Sequence, residues 1–165
     1  MSILEIFQHF AKLIKDSNFI SVFHIGCYNG YFLSLVDDNL DLFAHNKRTS
    51  IVGKIKESIP SIVFYTDKKE LFNKSDFNNS FILFTESWFE FKENVDYLKK
   101  INKNCYYAFI LPFGALETNL PFKTEKQIKN YLTIKLGLTH HKFFTTVLEY
   151  SENISYIIIQ GEKNV

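Results

Sequence analysis

The stretch that most constrains this chain is residues 18–36, NFISVFHIGCYNGYFLSLV. Its first half, Phe19-Ile20-Ser21-Val22-Phe23-His24-Ile25, is an unbroken β-branched and aromatic run, the pattern of a parallel strand buried on both faces. The run stops at Gly26, Gly30 follows, and Phe32, Leu33, Leu35 and Val36 then recur at helical spacing. Strand, glycine turn and helix in that order open a nucleotide-binding βα unit. Residues without a Cβ let backbone approach closely in such a turn, and the helix start offers unpaired N–H groups to polar ligand atoms.

The rest of the chain alternates in the same way. Ahead of this unit, Ile3, Phe7, Phe10, Leu13 and Ile14 lie three or four apart and predict an amphipathic helix over about 4–15. Residues 40–44 read as a second strand ending at His45, and Ile51, Val52, Ile55 and Ile59 mark a helix face that Pro60 closes. A third strand over 61–67 ends in Thr66-Asp67, and a fourth over 80–85 leads into Glu86, Ser87 and Trp88. Val95, Leu98 and Ile101 mark the next helix face, and 105–111 is a fifth strand ended by Pro112-Phe113-Gly114. Thr124 and Gln127 form a capping box for a helix carrying Ile128, Tyr131 and Leu132, and Gly137 suits a left-handed stop. His140 and His141 begin a closing hairpin with strands over 142–150 and 155–160. Neighbours on one strand point to opposite faces, so this histidine pair predicts no metal site.

At 165 residues the chain is expected to form one domain, 1–165, with 1–17 as an N-terminal helix and a proper core. Apolar residues make up 46%, with 18 Phe and 9 Tyr, which excludes a disordered chain. The 19 basic and 18 acidic residues nearly cancel, so no nucleic-acid partner is favoured. The basic pairs at 68–69 and 99–100 read as solvated surface. Cys27 follows the first strand and Cys105 enters the fifth at its opposite end, roughly 15–20 Å away by strand length. Disulfide reach is far shorter, so both are expected reduced and unpaired. The first 17 residues hold no apolar run fit for a signal or a membrane segment, and the expectation is a cytoplasmic protein.

Several of these residues carry a family pattern. The segment His24-Ile25-Gly26-Cys27-Tyr28-Asn29-Gly30-Tyr31-Phe32-Leu33 resembles the first motif of class I S-adenosylmethionine-dependent methyltransferases, commonly D-I-G-C-G-T-G-x-F-L. Gly26 and Gly30 match two of its three glycines, while His24 stands for the acid and Tyr28 for the middle glycine. His45 falls where the family's second strand ends in an acid for the ribose hydroxyls, and Thr66-Asp67 resembles its third-strand Gly-Asp. Residues 112–118, Phe122, Thr124, Glu125 and Gly137 are similar to a downstream segment of the same family.

The resemblance covers nearly the whole chain. It implies an α/β, Rossmann-like methyltransferase fold: a seven-stranded, mostly parallel sheet ordered 3-2-1-4-5-7-6, an antiparallel terminal strand, and helices on both faces. It implies S-adenosyl-L-methionine as cofactor, with His24, Gly26, Cys27, Tyr28, Gly30, His45, Thr66, Asp67 and Glu86 as the cofactor-binding candidates. Glu86 and Trp88, at the carboxyl end of the fourth strand, are the catalytic candidates. Alternative roles stay open: Asp67 as a helix cap, Glu86 as a cap, and Trp88 as core.

Two functions from different classes follow. One is methyl transfer to an O or N nucleophile of a small-molecule or sugar-like acceptor, through in-line positioning with a nearby acid or histidine taking the proton. The other is a catalytically inactive methyltransferase fold kept as a binding or scaffold subunit with a protein partner, suggested by His24, His45 and a Tyr28 ring in the path of the cofactor's methionine end. Either is compatible with an oligomer. A nicotinamide-dependent Rossmann enzyme fits less well, because the G-x-G-x-x-G spacing and an acid near the end of the second strand are missing.

Overall fold

A computed structural model describes residues 2–112, 120–137, 141–151 and 154–165. Seven strands form one sheet: β1 (Ser21–Ile25), β2 (Asp41–His45), β3 (Val63–Tyr65), β4 (Ser80–Phe84), β5 (Cys105–Pro112), β6 (His141–Ser151) and β7 (Ile154–Lys163). Their order is β3-β2-β1-β4-β5-β7-β6, as the sequence predicts. The pairings β1 with β2, β1 with β4, β2 with β3, and β4 with β5 are parallel, whereas β7 runs antiparallel to both neighbours. Every residue of β1 and β4 is buried, as their mostly apolar runs predict for strands covered on both faces, with Ser21, His24 and Ser80 as the buried polar exceptions. β3 is shorter than the run over 61–67 suggests. It is an edge strand, and Val63 is exposed there.

Alternation along the strands divides the core in two. Phe23, Ile25, Ile82, Phe84, Tyr107 and Phe109 face α4 (Lys68–Lys74), α5 (Trp88–Lys100) and α6 (Glu125–Leu136). Val22, Leu42, Ala44, Phe81, Leu83 and Ala108 face α1 (Ile3–Lys15), α2 (Tyr31–Ser34) and α3 (Thr49–Ser58). The opening helix presents Ile6, Phe10 and Ile14, and Ser2 with Glu5 forms a capping box at its start. α2 is a single turn, a shorter helix than the spacing of Phe32 to Val36 suggests.

Ser87 caps α5 and Thr124 caps α6, accepting from Phe89 N and Gln127 N. The Gln127 side chain accepts from Lys123 N, one residue ahead of the position a strict capping box requires. Gly137 ends α6 at φ 77 and ψ 143, a positive φ outside the left-handed helical region. At the far end of the sheet, the buried Lys163 ammonium donates to Leu98 O (2.9 Å) and Lys99 O (2.8 Å), neutralising the negative end of α5. Cys27 and Cys105 are both free and buried. Pro112 closes β5. Residues 113–119 of the Pro-Phe-Gly segment, and His140, lie outside the described residues.

Candidate functional site

Strands β1 to β5 all end on one rim of the sheet. The chain leaves β1 towards β2 on one side, and β4 lies on the other, so the topological switch point falls between β1 and β4, where open α/β sheets gather ligands. The loops there carry the glycine turn, His45, Thr66-Asp67 and Thr85-Glu86.

The glycine turn is tied down by protein partners. Gly26 N and Cys27 N both donate to His45 O (3.0 and 2.8 Å), and Asn46 Nδ2 donates to Cys27 O (2.9 Å). Thr85 Oγ1 donates to Gly26 O at 3.2 Å. Gly26 sits at φ +85, and a Cβ there would lie 2.6 Å from Glu86 Cγ and 3.1 Å from Glu86 N. Close approach of the β4 loop therefore requires this glycine. Gly30, at φ +71, is packed against Ile55. The Cys27 thiol is buried, and burial pushes its pKa up to about 11, so it is not a nucleophile. Tyr28 is 68% exposed. Its ring is open to solvent at the rim of the sheet.

The two histidines at the acid positions differ. His24 faces the α1 side, 4% exposed, edge-on to Phe7 and Phe32, with Nε2 2.8 Å from Thr85 Oγ1. Burial pushes its pKa down to about 3. His45 ends β2 on the other face and is 1% exposed, and neither ring nitrogen has a hydrogen-bond partner among the described residues. Burial lowers its pKa; the Glu86 carboxylate opposes the shift, and the Lys68 and Lys47 ammonium groups add to it. Both rings are therefore neutral near pH 7, and titration at an unperturbed 6.5 is not to be expected of either.

His45, Lys47, Thr66, Asp67, Lys68, Lys69, Glu93 and Tyr97 line a cavity of about 370 Å³. Asp67 Oδ1 accepts from Lys69 N (2.9 Å) and Glu70 N (3.4 Å), so the carboxylate caps α4, the second of its two expected roles. Lys68, read from the sequence as solvated surface, is buried. Its ammonium is paired with Glu86 Oε1 and donates to Asn94 Oδ1 (2.9 Å), while Asn94 Nδ2 donates to Glu86 Oε1 (3.0 Å). Sequence reasoning missed Lys68 and Asn94. Helical spacing held the signal, because Lys68 shares a face with Leu71 and Asn94 with Phe91 and Leu98.

Glu86 is thus a member of a buried ion pair rather than a cap. Trp88 belongs to the core: it is 9% exposed, packs on Phe91 and Phe122, and donates from Nε1 to Pro112 O (2.5 Å). Among the described residues no group of three His, Cys, Asp or Glu side chains is placed to hold a metal ion, and no helix is long and apolar enough to cross a membrane.

No protein-family model matches the sequence, and no curated protein does. Solved structures do match the fold. Magnesium protoporphyrin IX methyltransferase from Synechocystis, crystallised with S-adenosylmethionine, shares 13% identity at a TM-score of 0.67, over 98% of this chain and 79% of that one. An rRNA methylase from Streptococcus thermophilus shares 10% identity at 0.69, over 100% and 98% of the two chains. An O-methyltransferase of tomaymycin synthesis from Streptomyces achromogenes, also with S-adenosylmethionine, shares 7% identity at 0.69, over 98% and 79%. The fold is that of the class I methyltransferases. Within this fold the Lys68–Glu86 pair stands on the same rim as the switch point, and its charges act on His45.

Proposed function

We propose that the chain binds S-adenosyl-L-methionine along the rim from the Gly26–Gly30 turn to His45 and transfers its methyl group to an O or N nucleophile of a small acceptor. The observation that carries this reading is His45: a buried imidazole with both nitrogens unpartnered among the described residues, lining a cavity where the fold brings ligands. Buried polar atoms are nearly always paired, so an unpaired set in a cavity calls for a ligand. The residues fit an adenosine moiety. A neutral imidazole offers one donor and one acceptor, which suits a pair of ribose hydroxyls, and Asp67 Oδ2 stands outside the α4 cap. Neighbours of the same fold hold S-adenosylmethionine or its demethylated product in their crystals. The bound cofactor would supply an electrophilic methyl group on sulfur. This chain's part is to fix that group against the acceptor and to keep water away. The near-zero net charge favours a small acceptor over a nucleic acid.

A second reading, an inactive fold kept as a binding or scaffold subunit, is favoured by one observation: no carboxylate stands at residue 24 or 45, while an internal ion pair occupies the rim. Isothermal titration with S-adenosylmethionine and S-adenosylhomocysteine separates the two. Measurable binding, weakened about ten-fold in His45→Leu by the loss of one or two hydrogen bonds, is the expected outcome. Absence of heat with either ligand establishes the scaffold reading instead.

A further inference from the structure

Lys68 begins α4 at the end of β3, and Glu86 follows β4. In the order β3-β2-β1-β4 those strands are three spacings apart, about 14 Å. A lysine and a glutamate span that distance only by reaching towards each other, so their charged ends meet above the ends of β2 and β1. Two observations agree. Glu86 Cγ lies against the open side of Gly26 at the end of β1, and His45 at the end of β2 senses the charges of both Glu86 and Lys68. The pair, with side chains 6% and 9% exposed, thus bridges the interval between the glycine turn and His45.

A buried ion pair is a poor stabiliser. Desolvating both charges cancels most of their attraction, and an apolar pair of similar size commonly does as well. Its presence at a ligand crevice calls for another explanation. Neutral His24 and His45 stand at the ends of β1 and β2 where the family pattern has acids, and the Glu86 carboxylate lies beside the glycine turn.

We infer that Glu86 is the carboxylate that receives the cationic sulfonium end of the ligand, and that Lys68 is a surrogate cation holding Glu86 in place until the ligand replaces it. This rests on the adenosyl reading and sharpens it. Lys68 becomes the residue that sets discrimination between a charged sulfonium and an uncharged thioether. On binding, the Lys68 ammonium leaves Glu86 and turns towards Glu93, already 3.8 Å away and more exposed. Asn94 keeps its bond to Glu86 throughout, so the carboxylate does not follow the lysine.

The test is calorimetric titration of wild type, Lys68→Met, Glu86→Gln and the double variant with S-adenosylmethionine (cationic) and S-adenosylhomocysteine (neutral at sulfur). Removing Lys68 is expected to tighten S-adenosylmethionine about ten-fold and to change S-adenosylhomocysteine by less than two-fold. Glu86→Gln should weaken S-adenosylmethionine about ten-fold with little effect on S-adenosylhomocysteine, and the double variant should behave as Glu86→Gln does. Should Lys68→Met fail to fold because Glu86 is left alone, wild type against Glu86→Gln and the double variant carries the test through the same ratio. Equal changes for the two ligands, or weaker S-adenosylmethionine binding in Lys68→Met, overturn this inference while leaving the adenosyl reading intact. Absence of binding by any of the folded proteins overturns both.

Discussion

Lowering the pH from 7 to 5 should destabilise the protein through His24, and the size of the effect follows from its surroundings. The imidazole is enclosed by β1, Phe7 of α1 and Phe32 of α2, and its one polar contact among the described residues is Thr85 Oγ1. Its Nδ1 has no partner among the described residues, so none of them would compensate a proton there. Burial pushes the folded-state pKa to about 3, against 6.5 for the free side chain. The unfolded chain therefore binds a proton below pH 6.5 that the folded chain refuses until about pH 3. The stabilisation is complete above 6.5 and is lost as pH falls through that window, at 1.36 kcal/mol per unit. Between pH 7 and 5 this amounts to about 2 kcal/mol.

Urea unfolding of wild type and His24→Leu at both pH values isolates the term. Other groups titrate alike in both proteins, so the pH-induced loss should be about 2 kcal/mol larger in wild type. The variant starts from lower stability because Thr85 loses a partner, although Thr85 Oγ1 retains Gly26 O. Equal pH-induced losses in the two proteins would refute the placement of His24 in a dry interior.

Three further outcomes are expected. Gly26→Ala should cost roughly 3 kcal/mol in chemical denaturation, combining a positive φ with a Cβ set 2.6 Å from Glu86 Cγ; a cost below about 1 kcal/mol would mean that the β4 loop yields freely. Burial pushes the Cys27 and Cys105 thiols up to about 11 and about 12, so Ellman's reagent at pH 8 should find neither in the native protein and both after unfolding. Trp88→Phe keeps a ring in the core and leaves Pro112 O without its indole donor, a change worth about 1 kcal/mol; native tryptophan emission should be blue-shifted in wild type, and solvent-like emission would contradict the packing.

The strands and their turns were legible because their signals are local, and their order came with the family resemblance. The runs in β1 and β4 are predominantly apolar and buried at every position, Gly26 and Gly30 stand where the backbone turns to positive φ, and the closing pair of strands lies in adjacent sequence. Short-range chemistry was legible too: Thr124 caps α6, and Asp67 caps α4 as one of the two roles foreseen. The face each side chain meets was less so. Trp88 follows an acid at a strand end, yet the first turn of α5 directs its ring inward.

What the sequence hid is the cluster that gives the rim its charge. Lys68 and Glu86 are 18 residues apart, and they come together because β4 is laid beside β1 with β2 and β3 on the far side, a consequence of crossover order rather than of any spacing along the chain. A lysine next to another lysine reads as surface by composition. Only its helical register with Leu71 points inward, and only the fold supplies the glutamate that makes burial of the ammonium tolerable. The same pair changes the meaning of the two histidines. Two acids exchanged for neutral rings would leave a cationic ligand without a counter-charge, but the charge has not left the rim. On the proposed reading it stands on Glu86, one strand away from the first-strand acid of the family pattern, and the internal lysine beside it is held by contacts to Glu86 and Asn94 that a cationic ligand would replace.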